Sequence, residues 1–382
     1  MGKDIFILSA KRTPIGSMNG TLSSYTAPQL GAKAIAAAVE AAGVKPEAVS
    51  EVVMGNVVSA GIGQAPARQA MIGAGIPTST GATTVNKVCG SGMKAIMMGC
   101  QSILVGDSDI VVAGGMESMS KTPFLLDKAR GGYRLGHGKL LDAVIHDGLW
   151  DPYGDMHMGI CGETCAEERK ISRDEQDDYA IKSYERAQKA VAEGAFSDEM
   201  VSIDGIAVDE EPGRAKLDKI KKLRPAFKKD GTITAANASK LNDGAAALVL
   251  ASGEALDGRT PLAKIAGWAT FSQDPVWFTT APAGAIKKLL EKVGWNKDEV
   301  DAYEINEAFA VVALAVAKEV GLDLEKVNVN GGAVALGHPL GASGARIVAT
   351  LAHALAKRGW KKGVAAICLG GGEAVAVAIE RP

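Results

Sequence analysis

Apolar residues along this chain fall into two recurring patterns. Short, unbroken runs rich in small and β-branched residues, such as Ile5-Phe6-Ile7-Leu8, Ile110-Val111-Val112-Ala113 and Val364-Ala365-Ala366-Ile367, read as strands buried on both faces. Longer alanine-rich stretches, such as Gly31 to Ala42 and Ser343 to Arg358, read as helices. Glycine clusters at Gly90-Ser91-Gly92, Gly114-Gly115, Gly331-Gly332 and Gly370-Gly371-Gly372 mark tight turns beside the runs. This alternation predicts an α/β fold with mostly parallel, buried sheets.

The pattern occurs twice. Residues 27–56 run through Ala-Pro, an alanine-rich helix, a turn and a strand, and residues 281–307 repeat that order with Val300 opposite Val49. Ser91-Gly92-Met93-Lys94 falls opposite Ser343-Gly344-Ala345-Arg346 at nearly the same offset. Each match leads through a helix and a strand to a glycine pair before Glu117 or Glu373. Two similar halves packed about a pseudo-two-fold axis are therefore expected. Residues 120 to about 240 break the repeat and carry dense charge, including Glu167-Glu168-Arg169-Lys170 and Asp174 to Asp178. There Ser172 with Glu175 forms a capping box that opens a helix. Such an insertion over the mouth of an α/β core commonly builds a ligand site.

Composition narrows the classes. With 382 residues, 47% hydrophobic and 23% charged, the chain has the profile of an ordinary globular protein with a large core. A net charge of −2 leaves no electrostatic footprint for nucleic acid or acidic membranes. A phosphorylated ligand would need a local cluster, and the longest basic stretch, Lys216 to Lys229, is mixed with apolar and acidic residues. Five cysteines, Cys89, Cys100, Cys161, Cys165 and Cys368, form no disulfide pattern. Cys161 and Cys165 lack a second ligand pair, so no metal is expected. No signal or transit segment is recognisable and no apolar run reads as a membrane span, so a reducing cytoplasm is the expected location.

Four loops present residues capable of chemistry. Cys89 lies between a strand and a helix, where the helix dipole favours thiolate; the alternative is a buried structural cysteine. His338 sits in the Gly-rich, Pro-stiffened loop Asn330 to Gly341, as a positioned acid or base would. Cys368 precedes Gly370-Gly371-Gly372, whose free N–H groups could hold an oxyanion. Asn306 follows the strand Ala302 to Ile305, and its alternative is an ordinary helix cap. All four lie at strand ends or in the loops that follow, where sites in α/β sheets gather.

Taken together, the motifs Lys11-Arg12-Thr13-Pro14-Ile15-Gly16, Asn86 to Gly92, Gly114 to Ser120, Leu241 to Ala246, Asn306 to Phe309, Gly331 to Gly344 and Cys368 to Gly372 resemble the thiolase family along nearly the whole chain. Within it, His157-Met158-Gly159, Arg224-Pro225-Ala226-Phe227 and Asn237 to Asp243 are most similar to the short-chain, acetoacetyl-CoA members. The resemblance implies duplicated βαβαβ halves in a five-layered α-β-α-β-α core. Residues 1–119, completed by about 241–262, would be the first half, 120–240 an inserted loop domain, and 263–382 the second half.

The resemblance also implies ping-pong acyl transfer. Cys89 would carry the acetyl group, with His338 activating it and Cys368 moving the Cα proton. Asn306 would hold a water for the enolate, and the N–H groups of Cys89 and Gly370 would face the thioester oxygen. Leu149, His157, Met158, Arg214, Ser239 and Phe309 would contact coenzyme A, with His157 either wall or acid/base, and Phe278 would shape the acyl pocket. Acetyl-CoA, acetoacetyl-CoA and CoA would be the substrates and products, with no resident cofactor or metal, no nucleic acid or membrane partner, and a homotetramer joined through residues 121–145. Glu373 stands where the family usually has Met or Gly and should point away from the sulfurs, toward a basic or backbone partner. The rivals are a longer-chain 3-ketoacyl-CoA thiolase, a carrier-protein-dependent condensing enzyme and a catalytically silent CoA-binding protein.

Overall fold

The computed structural model describes residues 4–382. The first half runs β1 (Ile5–Arg12), α1 (Ala27–Ala41), β2 (Glu51–Gly55), α2 (Pro66–Gly73), β3 (Gly81–Val85), α3 (Ser91–Val105) and β4 (Ile110–Ser118). Residues 119–241 follow as an excursion whose main helices are α4 (Met158–Glu168) and α5 (Arg173–Ala192). The chain returns as β5 (Asn242–Ser252). The second half is β6 (Ala263–Ser272), α6 (Ala281–Val293), β7 (Ala302–Ile305), α7 (Ala310–Val320), α8 (Leu340–Arg358), β8 (Lys362–Leu369) and β9 (Glu373–Glu380).

The strands lie in the order β7-β8-β9-β6-β1-β5-β4-β2-β3. Only two residue pairs, Phe6 with Lys264 and Ile7 with Ala263, join β1 to β6, so the sheet is two half-sheets touching at one seam. Read outward from it, β1-β5-β4-β2-β3 mirrors β6-β9-β8-β7, and a single bridge from Tyr303 to Val327 stands where β3 would. The strands are not mostly parallel, as the sequence suggested. Parallel pairing is confined to β2 with β3 and β4 and to β7 with β8; the rest is antiparallel. The reason is that β9 returns from β8 through a three-glycine hairpin and β5 returns beside β4, neither through a crossover helix.

Strand burial on both faces holds. Along β8, Ala365, Ile367 and Leu369 face the central core, whereas Val364, Ala366 and Cys368 face the outer one. Central α3 and α8 pack together between the half-sheets, α1 and α2 cover the first outer face, and α6 and α7 cover the second. The architecture is thus the five-layered α-β-α-β-α arrangement. Gly92 and Gly344, partners in the repeat, let α3 and α8 meet. A Cβ on Gly92 would fall 2.9 Å from the Ala345 nitrogen, and one on Gly344 2.5 Å from the Met93 nitrogen.

One expectation needs correction. Val88–Val105 is long and apolar enough, by length and composition, to cross a membrane. Its apolar character has another cause: it includes α3, the helix enclosed between two sheets. In the excursion, the box of Ser172 and Glu175 forms as read, with the Glu175 carboxylate accepting from the Ser172 N–H at 2.6 Å.

Candidate active site

Cys89 closes a strained loop. Val88 before it has φ +45°, a left-handed conformation that β-branched residues rarely adopt. Hydrogen bonds within the loop hold it: Ser91 Oγ donates to the Val88 carbonyl at 2.6 Å and accepts from the Lys87 N–H at 2.8 Å, and Asn86 Oδ1 accepts from the Val88 N–H at 3.0 Å. Cys89 as a residue is partly exposed, but its sulfur is enclosed and meets the N–H groups of Cys89 itself and of Gly370. Burial pushes the thiol up to about 12, against those two donors. The expected thiolate is therefore not the resting form, because desolvation outweighs the helix terminus.

His338 is buried and held at three points. Its N–H donates to Asn242 Oδ1 at 2.8 Å, Nδ1 lies 2.6 Å from Ser343 Oγ, and Nε2 lies 3.4 Å from Asn306 Nδ2. Ser343 donates its proton to the Pro339 carbonyl at 2.9 Å, so its oxygen accepts from His338. That network assigns the proton to Nδ1 and leaves the Nε2 lone pair toward Asn306. Burial, with the nearby Arg346 charge, lowers the imidazole to about 3, so it is neutral at pH 7. Asn306 is no helix cap, since α7 starts at Ala310; its Oδ1 is buried without a partner.

Cys368 ends β8, fully buried, and burial together with the adjacent Cys89 sulfur pushes its thiol well above the ordinary range. Gly371 and Gly372 follow at φ +89° and +81°, and a Cβ on Gly372 would fall 2.3 Å from the Gln273 carbonyl. Glu373 points away from the sulfurs, as expected. It pairs with Lys87 and accepts from Ser272 Oγ at 2.9 Å, and these partners hold its carboxyl below the usual range.

Beside His338 opens a cavity of about 610 Å³ whose wall includes Leu149, His157, Arg214, Ser239 and Phe309. Cys89 packs against the apolar cluster that supplies Met119, Leu149, Leu241 and Leu340 to the same wall. His157 caps α4, its Nδ1 accepting from the Gly159 N–H at 3.0 Å, and stacks on Phe227 at 4.8 Å. Burial lowers its pKa. Met158, expected on this wall, and Phe278, expected in the acyl pocket, are not among its lining residues. Met158 lies beside Gly370, its Cε 3.8 Å from where a Cβ there would be. Phe278 is buried behind Phe309, edge to face at 6.5 Å, and does not line the cavity.

Buried carboxylates brace these loops, and the sequence reading gave them no role. Glu307 accepts from Tyr179, Ser183, Asn328 and the Val334 N–H at 2.8–3.0 Å. Glu117 accepts from the N–H groups of Val57, Val58 and Gly341 and from Asn56. Both stand in quoted motifs, beside Asn306 and after Gly114-Gly115-Met116; an acidic residue inside an apolar motif was the available signal. Among the described residues, no cluster of three or more His, Cys, Asp or Glu side chains could hold a metal.

Comparison with known proteins agrees with this layout. The thiolase N-terminal domain matches residues 5–254, and the thiolase C-terminal domain residues 259–381. Acetyl-CoA acetyltransferase 2 of Arabidopsis thaliana is 55% identical over 99% of this chain and 97% of its own. The crystal structure of Acat5 thiolase from Ascaris suum in complex with coenzyme A superposes with a TM-score of 0.96 at 49% identity, covering 100% of both chains. Human mitochondrial 3-ketoacyl-CoA thiolase in complex with CoA gives 0.97 at 43% identity, covering 100% of this chain and 98% of that one.

Proposed function

The chain belongs to the thiolase family, and from that premise we propose that it is an acetyl-CoA C-acetyltransferase, joining two acetyl-CoA into acetoacetyl-CoA and CoA and running the reverse thiolysis. One observation carries the reading. Two enclosed thiols meet at the Gly370 N–H, and Cys89 packs on the cluster whose Leu340, with a neutral His338 unprotonated at Nε2, lines a cavity large enough for a small-molecule arm.

The resting Cys89 is a thiol, so attack needs a base, and neutral His338 Nε2 is that base. Sulfur adds to the thioester carbonyl while its proton passes to Nε2. The N–H groups of Cys89 and Gly370 take the oxyanion. CoA leaves with the proton of Cys368, giving acetyl-Cys89, a Cys368 thiolate and a His338 imidazolium. In the second half-reaction Cys368 takes the Cα proton of a new acetyl-CoA. The enolate oxygen is held by His338 and by a water on Asn306. Carbon attack on acetyl-Cys89 releases acetoacetyl-CoA, and the His338 proton returns to Cys89. Leu149, His157, Ser239 and Phe309 would line the pantetheine path, with Arg214 at its outer end. Met158 would back the Gly370 turn and Phe278 would set the position of Phe309.

Mixing with acetyl-CoA and mapping peptides by mass spectrometry should place the acetyl group on Cys89; its absence there sinks the reading. The fit to a 3-ketoacyl-CoA thiolase supports a second, broader-chain reading. Thiolysis rates for C4 against longer 3-ketoacyl-CoAs separate the two. We read the protein further as cytosolic, in keeping with its five free cysteines. A homotetramer would cover Phe124, Leu126, Leu135 and Leu140, which are exposed. Residues 120–240 would form the inserted unit between halves 1–119, completed by about 241–262, and 263–382.

A further inference from the structure

Two basic side chains that differ sharply, Arg214 and Lys240, line the cavity. Arg214 is exposed and paired with Glu210 at 2.9 Å. Lys240 is half-buried with its Nζ turned inward onto backbone, and among the described residues no carboxylate lies within 4.0 Å of its Nζ. Instead Nζ donates to two backbone carbonyls, Ala238 at 2.7 Å and Val334 at 3.3 Å, and sits 5.6 Å from the centre of the Tyr184 ring. A desolvated ammonium without a counter-ion is costly, so its placement demands a reason.

The reason lies in what those carbonyls belong to. Ala238 precedes Ser239 on the cavity wall, where it bridges to Phe309. Val334 lies in the short turn Ala333–Leu336 that leads through Gly337 to His338. Two residues beyond Lys240, Asn242 Oδ1 accepts the His338 N–H at 2.8 Å. The segment 238–242 therefore grips the His338 loop twice, once by a neutral amide and once by a cation.

We propose that Lys240 is a positioning residue: its ammonium is a tethered cation that clamps the cavity wall, through Ala238, to the loop that carries His338, through Val334. The proposal rests on the reading of the cavity as the CoA site. A ligand pressing on Ser239 and Phe309 then bears on the imidazole through one covalently anchored charge. Charge matters because ammonium-to-carbonyl bonds are stronger than amine-to-carbonyl bonds.

The clamp should depend on pH. Burial lowers Lys240 to about 8, against the distant pull of Glu211 and Glu307. The other titratable groups around it are Tyr184 on α5, Arg214, Lys216 and Lys219 along the adjoining wall, and His157 and His338 across the cavity. Burial holds the Tyr184 phenol above its usual range and both imidazoles below theirs, so those three keep their charge near pH 8. The sign separates function from stability. The ammonium is present below about pH 8 and lost above it, so positioning weakens as pH rises. Between pH 8 and the unfolded value of 10.5 the unfolded chain holds more protons, so the same group makes stability rise with pH. A purely structural lysine would not lower activity while stability rose.

Lys240→Met keeps the stem and removes the charge; Lys240→Arg keeps a charge that does not titrate. For thiolysis of acetoacetyl-CoA, Lys240→Met should lower kcat/KM about tenfold at pH 7. Wild type should show a falling limb near pH 8 that both variants lack. Amide hydrogen exchange of residues 333–338, measured at pH 7 without substrate, should be faster in Lys240→Met than in wild type. Unchanged exchange in that variant, or a wild-type limb retained in it, overturns the clamp. If Lys240→Met does not fold, a wild-type kcat/KM that stays level through pH 9 overturns it equally. An inactive wild type with faster exchange in Lys240→Met would sink the functional reading and leave the clamp standing.

Discussion

The loops that enter α3 and α8 lead into matching helices of the repeat but are built differently. Ser91-Gly92 opens α3, whereas Ser343-Gly344 lies within the first turns of α8, and each loop has a residue of positive φ just before its candidate side chain. In the first loop that residue is Val88 at +45°, before Cys89; in the second it is Gly337 at +110°, before His338. The matching serines have diverged too. Ser91 Oγ binds only backbone, at Lys87 and Val88, whereas Ser343 Oγ binds the Pro339 carbonyl and His338 Nδ1. The two helix entries thus hold their side chains by different bonds, in keeping with the different roles proposed for Cys89 and His338.

The largest expected effect removes what makes the loops different. Cys89→Ala should cost at least about 10³-fold in kcat, with CoA still bound, as judged by calorimetry. Retained turnover would mean that the first loop is not the acyl carrier. Next comes Gly337→Ala. Its Cβ would fall 2.6 Å from the Asn242 side chain, at a φ that only glycine adopts freely, so we expect about 1–3 kcal/mol of strain. Activity should fall further than thermal stability, because Asn242 also holds His338.

The serine pair sharpens the contrast. Ser343→Ala removes the group that fixes the imidazole tautomer, so kcat should drop about tenfold with little change in Tm. Ser91→Ala removes backbone bonds from a strained loop, so Tm should fall more than kcat, by about 1–3 kcal/mol of stability. Equal profiles for the two variants would erase the distinction. His338 also sets a pH dependence. Its folded value near 3 lies below the ordinary 6.5, so the unfolded chain binds the proton first. Stability should fall as pH drops from about 6.5 toward 3, and His338→Gln should flatten that slope in acid melts. The smallest effect belongs to Glu373→Gln: it breaks a partly exposed pair with Lys87, worth below about 1 kcal/mol, and should barely move kcat.

The readable parts of this protein were those with a local cause. Buried strands such as Val364 to Ile367 show as apolar runs because both faces meet helices, and the capping box at Ser172 needs only four residues. The duplication showed as a repeat because copied packing keeps its small residues, Gly92 and Gly344 among them. Strand direction was not legible, since a hairpin at Gly370 and a long excursion at Ser118 both return the chain antiparallel and neither carries a distinct apolar signature. That Phe278 packs edge to face on Phe309 is a contact between segments that sequence spacing does not encode.

By itself the sequence determined the family and singled out the candidate site residues, because glycine, cysteine and histidine at fixed spacing reflect backbone shape and chemistry that are local. Only the tertiary structure decided their electrostatic state. Cys89 sits near a helix start that should favour thiolate, and burial reverses this. His338 is kept neutral by burial and the nearby Arg346 charge, and Ser343, Asn242 and Asn306, brought together from three segments, orient it. Desolvation and hydrogen-bond partnership depend on what surrounds a group in space, and that is set by the packed halves rather than by neighbours along the chain.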